Sequence, residues 1–227
     1  MGAWWIQGLL AGCAMAPQQP CPVGMVYIAA GTVELGLRQP QAPWHQPARA
    51  VALAAYCIDT YEHPNVAGAR PTFMASFDDA VTSCAAVGKR LCTADEWERA
   101  CRGPQGRLHP YGDERDATAC NTPIEGSGPP AGAPAPVAVA GAFPRCVSAE
   151  GVFDLDGNLS EWVDQPWSGA PEPFAVDAVV DPASWRTVRG GTMWSRTFYG
   201  QDCTSAHGHH RSTFRSMDDG FRCCRDP

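Results

Sequence analysis

The sequence predicts an irregular α+β domain, loop-rich and stapled by disulfides, with few short helices and strands. Three observations lead there. Among 227 residues, 23 glycines and 21 prolines leave little uninterrupted length for regular structure. Eleven cysteines are many for a reducing compartment and suit a cross-linked, exported chain. Two short stretches carry helix caps, whereas the other apolar runs are strand-length.

Taken in order, residues 25–35 read as strand with a turn at Gly31, and 51–58 as a second strand. Ser76 is placed as an N-cap, with Asp79 three residues later to close a capping box. Phe77, Ala80, Val81, Cys84 and Val87 then recur at helical spacing until Gly88 ends the run. Thr93 and Glu96 form a second capping box, opening a short helix that carries Trp97, Ala100 and Cys101. Residues 102–150 are loop-rich, and 126–136 is a Pro/Gly/Ala stretch expected as a mobile surface loop. Strand-and-turn pieces follow at 152–162 and 186–191, with a final strand at 220–224. No internal repeat is present.

Net charge is −7 and there is no run of Lys or Arg, which argues against nucleic acid as a partner. No apolar stretch is long enough to cross a bilayer as a helix. An odd number of cysteines leaves at least one outside intrachain bridges. Leu10-Ala11-Gly12-Cys13 reads as a lipobox, in which Cys13 is lipidated and becomes the first mature residue. The competing reading is an apolar leader with an accidental cysteine, since the twelve residues before Cys13 carry no Lys or Arg. On the lipobox reading, residues 1–20 are signal segment and Pro/Gln-rich tether, and residues 21–227 form one domain. The expected location is then a bacterial cell envelope, periplasmic or surface-exposed, with the membrane met through the lipid.

Several motifs occur in a fixed order: Gly24-Met25-Val26 with Ala30-Gly31-Thr32; Cys57-Ile58-Asp59 with Glu62, Pro64 and Asn65; and Gly88-Lys89-Arg90-Leu91-Cys92-Thr93-Ala94-Asp95-Glu96-Trp97-Glu98. Gly157-Asn158-Leu159-Ser160-Glu161-Trp162, Arg189-Gly190-Gly191-Thr192 and Gly220-Phe221-Arg222-Cys223 follow. In this combination, over about residues 24–224, the chain resembles the formylglycine-generating enzyme, or sulfatase-modifying factor, family. The resemblance implies that family's irregular α+β fold, a variant of the C-type lectin fold. Most of the motif residues have a structural use: Gly190 and Gly191 for close backbone approach, Trp97 and Trp162 as core aromatics, Arg222 in an internal pair. They identify a fold and not an activity.

The family's oxidase holds copper on two thiolates placed just after the Gly-Gly motif, soft ligands for a soft ion. The matching positions here are Ser195 and Gly200, and neither supplies a thiolate. Copper is therefore not expected. The nearest cysteine, Cys203, matches a structural cysteine of the family, which implies a bridge to Cys101; likewise Cys84 is implied to pair with Cys223. Cys92 and Cys224 each neighbour a member of that second bridge and are expected to pair. Cys120 and Cys146 flank the Pro/Gly loop and are expected to close it, leaving Cys21 and Cys57 for the N-terminal strands. Ten cysteines allow many pairings, so these last three bridges are expectations.

Asp154, Asp156, Asn158, Ser160 and Glu161 crowd oxygen-bearing side chains around a glycine turn, which suits calcium. The resemblance implies Asp154, the carbonyls of Gly157 and Leu159, and Glu161 as ligands. The alternative is a polar turn with Glu161 in an internal salt bridge. Asn121, with Thr122, matches half of a second family calcium site, without a matching downstream Asp. His207, His209 and His210 form a cluster beside Arg211, in which a solvated segment is favoured over a metal site. The function expected is that of a non-catalytic exported binding or structural lipoprotein. Its recognition face would lie near residues 194–217, with Trp194, Phe198, Tyr199 and the three histidines as contacts for a protein, peptide or glycan ligand. The alternative is a formylglycine-generating or related metal-dependent oxidase.

Overall fold

The computed structural model describes residues 20–40, 42, 45–122, 137–168, 184–193 and 200–227. The lipobox with Cys13, the 126–136 stretch, and Trp194, Ser195, Phe198 and Tyr199 lie outside them, as do the side chains of His209 and His210.

Both helices begin where the capping boxes place them. In α1 (Phe77–Ala86) the Ser76 backbone N–H donates to Asp79 Oδ2 at 2.9 Å while Asp79 N–H donates to Ser76 Oγ at 3.2 Å. In α2 (Ala94–Arg102) Thr93 and Glu96 do the same at 2.8 and 3.2 Å. Each box satisfies two backbone donors that a helix start otherwise leaves unpaired. Helix α1 ends in a paired closure: Gly88, at φ +69°, donates to Ala85 and Lys89 to Cys84. Its buried side is narrower than the spacing suggested. Phe77, Ala80 and Cys84 are buried, but Val81 and Val87 face solvent.

The first N-terminal strand prediction divides next to the turn read at Gly31, and the second, 51–58, divides where none was expected. Strands β1 (Met25–Ile28) and β2 (Gly31–Leu35) belong to different sheets, as do β3 (Arg49–Leu53) and β4 (Tyr56–Asp59). β2 pairs with β3 as a largely exposed ribbon, and β1 pairs with β4 antiparallel, Met25 opposite Asp59. The cause is visible in burial: all four β4 residues are interior, whereas the ribbon alternates poorly and stays at the surface.

A four-stranded sheet runs β1-β4-β10-β5, with β5 (Arg90–Leu91) and β10 (Cys223–Arg225). A second runs β8-β7-β6-β9, with β6 (Ser160–Pro166), β7 (Trp185–Arg189), β8 (Ala206–Arg211) and β9 (Asp219–Phe221). β6 and β9 are parallel and the other pairs antiparallel. The final predicted strand thus splits at Arg222: β9 belongs to one sheet and β10 to the other. One core cluster packs Ile28, Ile58, Trp97, Leu155 and Val163, and a second packs Phe77, Trp162, Val188 and Phe221.

Five disulfides tie this frame: Cys21–Cys57, Cys84–Cys223, Cys92–Cys224, Cys101–Cys203 and Cys120–Cys146. They are the five pairs expected. Adjacent residues Cys223 and Cys224 point to opposite clusters, so one short strand is bonded both to α1 and to the start of the α2 segment. Replacing Cys92 and Cys224 together by alanine opens a closure of 132 residues. Chain entropy sets the expected loss at about 4–5 kcal/mol, as an upper bound. Urea unfolding of the oxidised variant should show it as a lower midpoint.

Candidate functional site

The centre of the molecule is an ion pair. Arg222, at the switch between β9 and β10, donates through Nε to Glu161 Oε2 at 2.7 Å and through Nη2 to Glu161 Oε1 at 2.6 Å. Both side chains are fully buried. Trp97 of α2 donates its indole N–H to the same Glu161 Oε2 at 2.8 Å. Arg222 also reaches the carbonyls of Asp59 and Phe153. Burial works against the guanidinium charge, and Glu161 more than restores it, so the Arg222 pKa lies above its ordinary value.

Around this pair the chain turns sharply. Asp154, Gly157 and Asn158 all take positive φ, at 59°, 79° and 58°. At Gly157 a Cβ would stand 2.4 Å from the Asn121 carbonyl oxygen, so only glycine fits. Asn158 donates to Glu62 Oε2 at 2.8 Å and accepts from Asn121 Nδ2 at 2.9 Å. Glu62 is fully buried, and its Oε1 has no hydrogen-bond partner. Burial and the neighbouring Glu161 and Asp154 carboxylates push its pKa well up, and Asp154 rises to about 6, chiefly through burial. Three buried carboxylates thus face one guanidinium. Their oxygens, with the carbonyls of Gly157 and Leu159, are of the kind a hard cation takes. Glu161, however, is already engaged by Arg222 and Trp97, the internal salt bridge that the sequence allowed as the alternative. Among the described residues no group of three or more His, Cys, Asp or Glu side chains is placed to hold a metal ion.

Next to it lies the Gly190-Gly191 turn. Gly190, at φ +77°, packs under the Trp97 ring; a Cβ on Gly191 would meet the Gly200 carbonyl oxygen at 2.8 Å. Close approach is therefore the use of both glycines. Cys203 is bonded to Cys101, and all ten cysteines of the described region are in bridges.

Two His–carboxylate pairs join distant parts of the chain, one half-buried and one buried. His45 Nε2 lies 3.0 Å from Asp202 Oδ2, and His109 Nδ1 lies 2.7 Å from Asp156 Oδ2, with Tyr111 stacked on the His109 ring. Sequence reasoning did not find them, because the partners lie 157 and 47 positions apart and share no local motif. His207 sits on β8 opposite Val188 and is fully buried. This corrects its expected place on a recognition face: β8 takes it into the interior packing. Asn121 bonds with Asn158 and frames the turn.

An irregular, disulfide-stapled α+β fold whose Gly-Gly turn packs on a buried Trp–Glu–Arg core defines a recognisable class. The model of the Sulfatase-modifying factor enzyme 1-like domain matches residues 63–227, and the chain belongs to that family. It is 28% identical over 172 residues to the formylglycine-generating enzyme of Mus musculus, covering 69% of this chain and 44% of the relative. It is 32% identical over 158 residues to the inactive C-alpha-formylglycine-generating enzyme 2 of Bos taurus, covering 67% of this chain and 49% of the relative. The chain therefore spans less than half the length of these curated relatives. In fold it is similar to PvdO from Pseudomonas aeruginosa, with a TM-score of 0.67 at 19% identity over 89% of this chain and 94% of that one.

Two substitutions test the energetics. Glu161→Gln leaves Arg222 buried without its counter-charge and should cost about 3–5 kcal/mol in chemical unfolding. At Asp202, burial raises the carboxyl pKa, but hydrogen bonds from His45 and Thr204 outweigh it and hold the group below its ordinary range. A carboxylate depressed in the folded state stabilises above its unfolded pKa and loses that contribution as pH falls through the folded value. Asp202→Asn should therefore cost about 1–2 kcal/mol at pH 6. The difference from the parent should shrink towards pH 3, as thermal unfolding across that range will show.

Proposed function

We propose that this chain is a non-catalytic binding or structural member of the sulfatase-modifying-factor family, acting outside the cytoplasm. One observation carries the proposal: every cysteine of the described region is committed to a disulfide, Cys203 included, while Ser195 and Gly200 occupy the positions matching the catalytic thiols. A thiol-dependent oxidase needs a thiolate that this arrangement does not provide. That a relative is named as inactive supports the same direction. Five bridges support an oxidising compartment, and no helix among the described residues is long and apolar enough to cross a membrane. Lipidation at Cys13 is proposed as the attachment to a bacterial envelope membrane. Recognition of an exported protein, peptide or glycan is assigned to the 194–217 segment, without His207.

Calcium is proposed as a structural ion at the 154–161 turn, supported by the excess of buried carboxylate around Glu62 and Asp154. Chelation should then lower the thermal midpoint by several degrees and added calcium restore it. A midpoint indifferent to both argues for the salt bridge alone.

The decisive measurement is a count of thiols and metals in the oxidised protein, with a Cys-x-Pro-x-Arg peptide offered as substrate. The expected result is no reactive thiol in residues 21–227, no copper or iron near one per chain, and no conversion of the peptide. Two reactive thiols near residue 203, near-stoichiometric copper or iron, or conversion of the peptide cysteine would favour the oxidase.

A further inference from the structure

Three surface turns share one backbone device and one unusual composition. In Pro22-Val23-Gly24-Met25 the Met25 N–H donates to the Pro22 carbonyl at 3.1 Å. Val66-Ala67-Gly68-Ala69 and Val139-Ala140-Gly141-Ala142 close in the same way, both at 3.0 Å. Glycine stands third in each turn, at φ +83°, +74° and +74°, the left-handed geometry that such a turn asks of that position. The other places carry only Pro, Val, Ala and Met, where surface turns commonly use Asn, Asp or Ser. Val23, Val66 and Val139 are 105%, 54% and 45% exposed.

The turns are joined to one another. Asn65, just before the second turn, donates through Nδ2 to the Gly24 carbonyl at 2.7 Å. Gly68 donates to the Ala140 carbonyl at 2.9 Å, and Ala140 to the Ala69 carbonyl at 2.8 Å. Exposed valines scattered singly need no explanation. Three on contiguous, hydrogen-bonded turns make an apolar surface of the kind that meets a partner or a membrane.

Charge and tether choose between those occupants. Residues 22–24, 64–70 and 137–145 contain Arg70 and Arg145 and no Asp or Glu, on a chain of net charge −7. Arg70 lies over the Phe73 ring and, among the described residues, has no carboxylate within ion-pair distance. Arg145 is mostly exposed, though paired with Asp116. Apolar turns edged by cations complement an anionic bilayer surface. The chain also enters the domain here: Cys21 adjoins the first turn and is bonded to the buried Cys57. From Cys13 to Cys21 an extended chain reaches at most about 29 Å. A domain of this size is roughly 40 Å across, so a lipid on Cys13 keeps this end nearest the membrane.

We infer that the three turns form a docking face that seats in the headgroup layer of an anionic bilayer, the valines against acyl chains and Arg70 against lipid phosphate. The inference rests on the lipidation proposed at Cys13, which supplies proximity and not the contact itself. The 194–217 segment contributes no residue to this face.

The test mixes the full chain, disulfides formed, with vesicles of phosphatidylcholine and phosphatidylglycerol that carry a diazirine on the acyl chain. After irradiation, peptide mass spectrometry maps the carbene adducts, and the intact mass reads lipid on Cys13 separately. Adducts are expected in 22–24, 64–70 and 137–145. Val23→Asp combined with Val66→Asp should lower their yield at least about tenfold. Arg70→Glu should lower it about fivefold, and only where phosphatidylglycerol is present. Val81→Asp, at a position 41% exposed on α1, should change nothing. Adducts confined to residues 1–20, adducts spread over the whole surface, yields indifferent to the variants, or no vesicle binding overturn the inference. A chain without lipid on Cys13 whose turns are still labelled retires the anchor and keeps the docking face. A lipidated chain labelled only at residues 1–20 does the reverse.

Discussion

The bidentate pair between Arg222 and Glu161 is the constraint on which the rest of the structure depends. Neither charge touches water, so each is tolerable only while the other is present. Glu161 lies on β6 of one sheet, and Arg222 stands where the chain leaves that sheet for the other. Trp97 brings α2 to the same carboxylate. Two sheets and a helix are thereby held at one point. A purely apolar contact of this kind could slide; a two-bonded ion pair with an indole donor has one geometry.

Around that point covalent bonds do work that secondary structure does elsewhere. The strands are short, β5 being two residues and β9 and β10 three each. Short strands hold register poorly alone, and here the cystines fix it: Cys224 faces Arg90 and Ile58 across the ladder while bonded to Cys92. The interior accordingly contains cystine sulfur as a packing element, since Cys84, Cys92, Cys101, Cys203, Cys223 and Cys224 are all buried.

What the sequence revealed followed the range of the interactions. Both helix starts were legible because a capping box lies within four residues, as Ser76 with Asp79 and Thr93 with Glu96. The five bridges were legible through cysteine parity joined to ordered family motifs. The turn dividing β1 from β2 was read at Gly31, but the bend dividing β3 from β4 was not, because Ala54-Ala55 carries no turn chemistry and only the two sheets decide it. Strand β8 was also missed: Ala-His-Gly-His-His-Arg has no β-branched residue, and it is a strand because β7 pairs with it. Of the site, the Gly-Gly turn and the Glu161 turn were read from local pattern. The His45–Asp202 and His109–Asp156 pairs exist only once the chain has folded.

The Cys84–Cys223 bond has a consequence for a protein exposed to proteases. It encloses 139 positions of sequence, and three of the other four bridges have at least one end within that span. A single cut anywhere between those two cysteines leaves both fragments on one covalent body. Such a chain can be nicked and still keep its pieces together; only a reductant arriving after the protease releases them.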